Sequence, residues 1–132
     1  MLDHKFEKFL GGPSHRMDLK NKLRATINRR GMIYFNEKLF AELGSPPAVA
    51  LYFNREDGQI AVQAAFELSG AAFPVQKHQA GWVVRASTFC RHFGIRVPVT
   101  QEFLRPWIDV EGILRLNLVE TITVGGIDRK KK

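Results

Sequence analysis

The chain has 132 residues, of which 45% are apolar, including ten Phe and two Trp; that is the composition of a folded domain and excludes a disordered one. No stretch reaches the roughly 18 apolar residues of a membrane-spanning helix, residues 1–10 lack the apolar run of a signal peptide, and the single cysteine, Cys90, excludes an internal disulfide or a cysteine metal cluster, so the default expectation is a cytoplasmic protein. The net charge of +7 is uneven: residues 1–31 hold eight Lys/Arg against three acids, residues 32–126 eight against nine, and residues 127–132 four against one. Such localised charge is the footprint of a polyanionic partner, although a basic tail such as Arg129 to Lys132 also reads simply as a solvated end.

Taken in order, residues 3–10 place Phe6, Phe9 and Leu10 at helical spacing, and Gly11-Gly12-Pro13 ends that short helix. A polar, basic arm follows to Lys22. Arg24 to Ile27 is a short strand, Asn28 to Gly31 a turn, and Met32 to Phe35 a strand of β-branched and aromatic residues. Asn36 is suited to cap a helix over residues 37–43 that carries Leu39 and Leu43 on one face, with Gly44 just past its end. Ser45-Pro46-Pro47 restarts the chain in extended form. A hairpin follows, with strands over 49–53 and 59–63 about a turn at Arg55 to Gly58. The order then recurs. Strands over 73–76 and 82–85 flank a turn at His78 to Gly81, Ser87 is placed to cap a helix carrying Phe89 and Phe93, and Gly94 ends it. A second hairpin has strands over 107–110 and 113–119, its return strand alternating Leu114, Leu116 and Leu118 against Arg115 and Asn117.

The recurrence has a fixed offset. Gly31 and Gly44 are 13 residues apart, as are Gly81 and Gly94. Between them Ile33-Tyr34 aligns with Val83-Val84, Leu39 with Phe89 and Leu43 with Phe93, and the Asp57-Gly58 turn has its counterpart in Glu111-Gly112, four residues later in the second copy. A unit of some 40 residues buries too little surface to stand alone. Two copies packed together predict a mainly β fold with short helices outside it and pseudo-two-fold symmetry.

The segment from Gly31 to Gly44, Gly-Met-Ile-Tyr-Phe-Asn-Glu-Lys-Leu-Phe-Ala-Glu-Leu-Gly, resembles the centre of the AbrB/SpoVT-type swapped-hairpin DNA-binding domains. There a basic strand and turn lead to a glycine, then a β-branched strand, a short helix, a leucine-glycine and a closing hairpin. The resemblance covers residues 24–62 and, more weakly, residues 73–118. It implies two tandem swapped-hairpin-like units forming a pseudo-two-fold β-barrel, comparable to one of the family's interleaved dimers joined covalently. The division is an N-terminal helix and basic arm (1–22), a first unit (23–72), a second unit (73–126) and a basic tail (127–132). The polar pattern departs from the family's: Met32 and Trp82 stand where a basic residue often follows the glycine, Asn36 and Ala86 where proline usually starts the helix, and Phe40 and Cys90 where a basic residue precedes the closing glycine.

The resemblance implies double-stranded DNA as the partner, contacted by Arg24, Arg29 and Arg30 on the strand and turn, with Lys20 and Lys22 adding phosphate contacts from the arm. Arg suits this work because its planar fork holds phosphate or a guanine edge through two hydrogen bonds. Lys77 and His78 are the nearest counterparts in the second unit, whose turn is less basic, so the binding surface is expected to be unequal. Arg85 reads equally as a structural pairing residue. Tyr34, Trp82 and Trp107 have faces on which bases can stack, but on strands of a β core packing is the expected role. His15, His78, Cys90 and His92 show no metal-ligand spacing, and no nucleophile elbow, phosphate loop or carboxylate pair stands out. No enzyme, cofactor, metal, membrane or small-molecule substrate is expected. The function expected is DNA binding in a transcriptional regulator; the alternative is a protein-interaction module, antitoxin-like or an assembly subunit, that kept the scaffold and lost DNA. An exposed hairpin edge would favour a homodimer.

Overall fold

The computed structural model describes residues 22–67 and 70–124; the expected helix over residues 3–10, most of the basic arm with Lys20, and the basic tail lie outside them. Ten strands and two short helices make up the described part: β1 (Ala25–Ile27), β2 (Met32–Phe35), α1 (Glu37–Glu42), β3 (Ala48–Asn54), β4 (Gln59–Ala65), β5 (Phe73–His78), β6 (Gly81–Arg85), α2 (Ser87–Phe93), β7 (Gln101–Phe103), β8 (Trp107–Ile108), β9 (Leu114–Asn117) and β10 (Thr121–Thr123). The expected mainly β fold is present. No helix among the described residues is long and apolar enough to cross a membrane.

All ten strands join one antiparallel sheet in the order β10-β7-β1-β2-β6-β5-β3-β4-β9-β8. β2 and β6 lie side by side. Outward from them come β1 and β5, then β7 and β3, then β10 and β4, and β9 and β8 continue beyond β4. The ladder leaves β10 and β8 as edges, and the sheet is curled into a half-barrel where the sequence pointed to a β-barrel. These edge strands are short, β8 having two residues and β10 three, and no hydrogen-bonded pairing joins them among the described residues.

Alternation along the strands defines the two faces. Ile27, Ile33, Phe35, Val84, Val49, Ile60, Val62, Leu114 and Leu116 point inward and are at most 2% exposed. Leu39 and Phe40 of α1 and Phe89 and Cys90 of α2 are buried with their strands. Each fully buried aliphatic or aromatic side chain contributes roughly 1.5–3 kcal/mol of transfer free energy, and this cluster is the main source of cohesion. On the opposite face Thr26, Tyr34, Val83 and Gln76 stand in register across β1, β2, β6 and β5.

Local chemistry sets the joints. Asn36 caps α1, its Oδ1 accepting from the Leu39 amide at 3.0 Å and its Nδ2 donating to the Lys22 carbonyl. Ser87 is not the cap of α2. Ala86 takes that position with no side-chain hydrogen bond, and its amide donates to the Gly31 carbonyl at 2.9 Å. That bond to the β1–β2 turn fixes the entry to the helix where a capping side chain would otherwise do so. Gly94, at φ +69°, ends α2 as expected.

The second hairpin is present but shorter than expected. β8 and β9 pair about Asp109, whose Oδ1 accepts from the Glu111 and Ile113 amides, and β9 pairs with β4 from Gln59↔Asn117 to Val62↔Leu114. β7 and β10 are strands beyond those expected from the sequence. They pair with each other, and β7 also pairs with β1 through Thr26↔Glu102 and Ile27↔Gln101.

Candidate nucleic-acid interface

The β1–β2 turn is built by one side chain. Asn28 Oδ1 accepts from the Arg30 amide at 2.9 Å and the Met32 amide at 3.0 Å, the Asn28 carbonyl accepts from Gly31, and Gly31 takes φ +81°. With Asn28 and Gly31 fixing the backbone, Arg29 and Arg30 at the tip are exposed. Gly31 lies so close to the start of α2 that a Cβ there would stand 2.9 Å from Ser87 Cα.

That approach makes a cavity of about 270 Å³ between turn and helix. Arg29, Arg30, Arg91 and Arg96 line it, with Gly31 and Cys90 among the other lining residues. Arg91 comes from the last turn of α2 and Arg96 from the loop after it. No carboxylate lines the cavity, and none of the four arginines is within ion-pair distance of one among the described residues. Guanidinium stays charged throughout the accessible pH range, so the lining carries four positive charges and no carboxylate. Burial pushes the Cys90 thiol pKa up, which keeps that wall of the cavity neutral.

The remaining expected contact residues are distributed differently. Arg24 lies before β1 on the face opposite the core, and its Nε pairs with Glu102 Oε2 at 3.2 Å. His78 is on the same face, its ring 5.0 Å from that of Tyr34. Arg24 and His78 line a separate cavity of about 390 Å³ together with Tyr34, Trp82 and Thr100. Lys77, adjacent to His78 on a strand, points to the other face. Its Nζ is 3.2 Å from Glu37 Oε2 and 4.8 Å above the Trp82 ring, which stacks on Phe40 at 4.1 Å. Lys22 is exposed at the start of the described residues, and Lys20 lies outside them.

The structure thus brings Arg29 and Arg30 together, brings Arg24 to His78, and sets Lys77 apart in an ion pair. Sequence reasoning missed Arg91 and Arg96. No spacing in the sequence signals them, because they join the turn only through the close approach of Gly31 to Ser87. Arg85, read as equally structural, donates from Nε to Gln76 Oε1 at 2.9 Å. Trp82 packs, whereas Trp107 on β8 is 51% exposed. No cluster of three or more His, Cys, Asp or Glu that could hold a metal exists among the described residues.

The chain matches no protein-family model, no curated protein and no solved structure.

Proposed function

We propose that this chain is a DNA-binding protein, a transcriptional regulator of the AbrB/SpoVT swapped-hairpin type in which two tandem units share one sheet. The observation that carries the reading is the exposed Arg29-Arg30 turn, gathered with two further arginines around a cavity with no carboxylate in its lining. Arginine forks at a protruding turn suit the phosphates flanking a duplex groove.

The tandem arrangement draws support from the pairing of β2 with β6. Ile33 stands opposite Val84 and Tyr34 opposite Val83, so adding 50 to one partner and subtracting 50 from the other returns the same ladder. Gly31 abuts the start of α2 while Gly81 abuts Phe35 and Asn36 at the start of α1, the same contact with the halves exchanged. On this reading β7 and β10, rather than the β8–β9 hairpin to which the Glu111-Gly112 turn pointed, stand where β3 and β4 stand in the first half, β7 pairing with β1 as β3 pairs with β5, and the β8–β9 hairpin is an addition. A cytoplasmic location and the absence of any catalytic role go with it.

A gel-shift series with duplex DNA at two salt concentrations tests the proposal. Binding should weaken steeply as salt rises and be reduced in an Arg29→Ala/Arg30→Ala variant. No shift at low salt, or no effect of the double substitution, overturns it.

A second reading, a protein-interaction module on the same scaffold, draws on the pairing of Arg24 with Glu102 and Lys77 with Glu37, which commits two of the expected DNA contacts within the chain. The exposed Trp107 and Ile122 on the two edge strands suit edge-to-edge association of two copies. Light scattering showing a monomer at high concentration counts against the homodimer.

A further inference from the structure

The charge does not stop at the turn. Arg29 and Arg96 also line an adjoining cavity of about 540 Å³ with Ile95, Val97 and Pro98. Arg96 in turn lines a third, also about 540 Å³, with Arg55, Phe53, Phe93 and Leu118. The three concavities all draw on the Ile95 to Val97 segment, which therefore links their linings. No Asp or Glu lines any of them. Arg55, in the β3–β4 turn, is held in place at the far end: its Nη1 donates to the Phe93 carbonyl at 3.3 Å and its guanidinium lies 5.5 Å from the Phe93 ring. The linked linings therefore draw on three separate stretches of chain: the first turn, the α2 end with its following loop, and the first long hairpin.

We infer that Arg30, Arg29, Arg91, Arg96 and Arg55 form one phosphate-binding strip, along which several phosphate groups of a single polyanion are held in succession. The inference rests on the DNA-binding reading for its ligand source, a nucleic-acid backbone. The same chemistry would also take a small phosphate compound, and the two sources are separable by experiment. A row of forks at successive positions matches a repeating phosphodiester better than one isolated anion, which a single cavity would suffice to hold. Among the described residues the other half offers no equivalent. Its turn carries Gln79 and Ala80 where the first carries Arg29 and Arg30, and the arginine beside it, Arg24, is paired with Glu102. The described residues thus hold one strip.

The test compares three proteins: the full chain, an Arg91→Ala/Arg96→Ala variant, and a charge-matched Arg85→Ala/Arg105→Ala control whose arginines bond Gln76 and Glu120 away from the strip. Each is titrated with a short labelled duplex over a salt series and, separately, with pyrophosphate by calorimetry. Thermal melts confirm that all three fold. Losing two charged hydrogen-bonding groups should weaken duplex binding about tenfold or more and lower the slope of log K against log salt by about 2, with the control unchanged. If the strip variant matches the control while the parent binds duplex, the strip is overturned and the DNA-binding reading stands. If the parent binds pyrophosphate in a strip-dependent way but no duplex, the strip stands with a small phosphate as its ligand and the DNA-binding reading falls. If the parent binds neither, both are overturned.

Discussion

Ile33 on β2 lies directly opposite Val84 on β6, and both side chains are fully buried. Their ladder ties residues 32–35 to residues 82–85, so the core is seamed between the two halves rather than divided between them. Removing side-chain volume at that seam should weaken the whole molecule at once. Ile33→Ala is expected to cost about 2–5 kcal/mol, read as a lower urea midpoint in a single cooperative transition. Two separate transitions would show that the halves unfold independently.

Gly31 and Gly81 make equivalent close approaches for different local reasons. Gly31 has φ +81° and meets Ser87, whereas Gly81 would drive a Cβ into the Phe35 carbonyl oxygen. Gly31→Ala carries the left-handed penalty of roughly 1–2 kcal/mol in addition to the contact. Gly81→Ala carries the contact alone. Both should lower the melting temperature in a thermal scan, Gly31→Ala by displacing the Arg29-Arg30 turn as well.

Arg24 tests the difference between being basic and being available. Its pair with Glu102 is partly exposed, and such pairs contribute at most about 1 kcal/mol. Arg24→Ala should therefore change stability by less than that and reduce duplex affinity far less than Arg29→Ala/Arg30→Ala. Parallel anisotropy titrations and urea melts check both statements.

Asp109 gives the β8–β9 turn an acid sensitivity. The hydrogen bond from the Ile113 amide, helped by those from Arg115 and Glu111 and by the Arg115 charge at 2.8 Å, holds its carboxyl below the usual range. A pKa lower in the folded than in the unfolded chain means that the unfolded chain binds more protons, so the contribution is complete above the ordinary carboxylate value of about 4 and is lost as pH falls through the folded one. Asp109→Asn should lower stability at neutral pH and flatten the acid limb of a stability–pH curve. An unchanged acid limb would show that the turn does not hold the charged form.

Cys90 is buried and its thiol is pushed up by desolvation, so little thiolate forms near neutral pH. Thiol reagents should react slowly with the folded chain and rapidly in denaturant. Equal rates in the two conditions would place the sulfur at the surface.

Short-range signals were legible where side chains act on their own backbone. The Asn28–Gly31 turn, the Asn36 cap and the Gly94 terminus each lie within a few residues of what they control. β7 and β10 were not legible. Three residues such as Gln101-Glu102-Phe103 carry no period, and they are strands because β1 offers them an edge 75 residues away in sequence. The candidate site divides the same way. Arg29 and Arg30 stood out on a turn, but Arg91 and Arg96 gain meaning only because Gly31 brings the turn against α2. Nor does sequence distinguish Arg24 from Arg29, since the partner that occupies Arg24 is Glu102, far along the chain.

The pairing of β1 with β7, and of β7 with β10, has a consequence for synthesis. β1 leaves the ribosome well before β7, one of its two neighbours in the sheet. Its outer edge waits, with backbone donors and acceptors unpaired, until residues 101–103 have been made. At about 5–20 residues per second that interval is several seconds, during which the nascent chain depends on whatever else covers that edge.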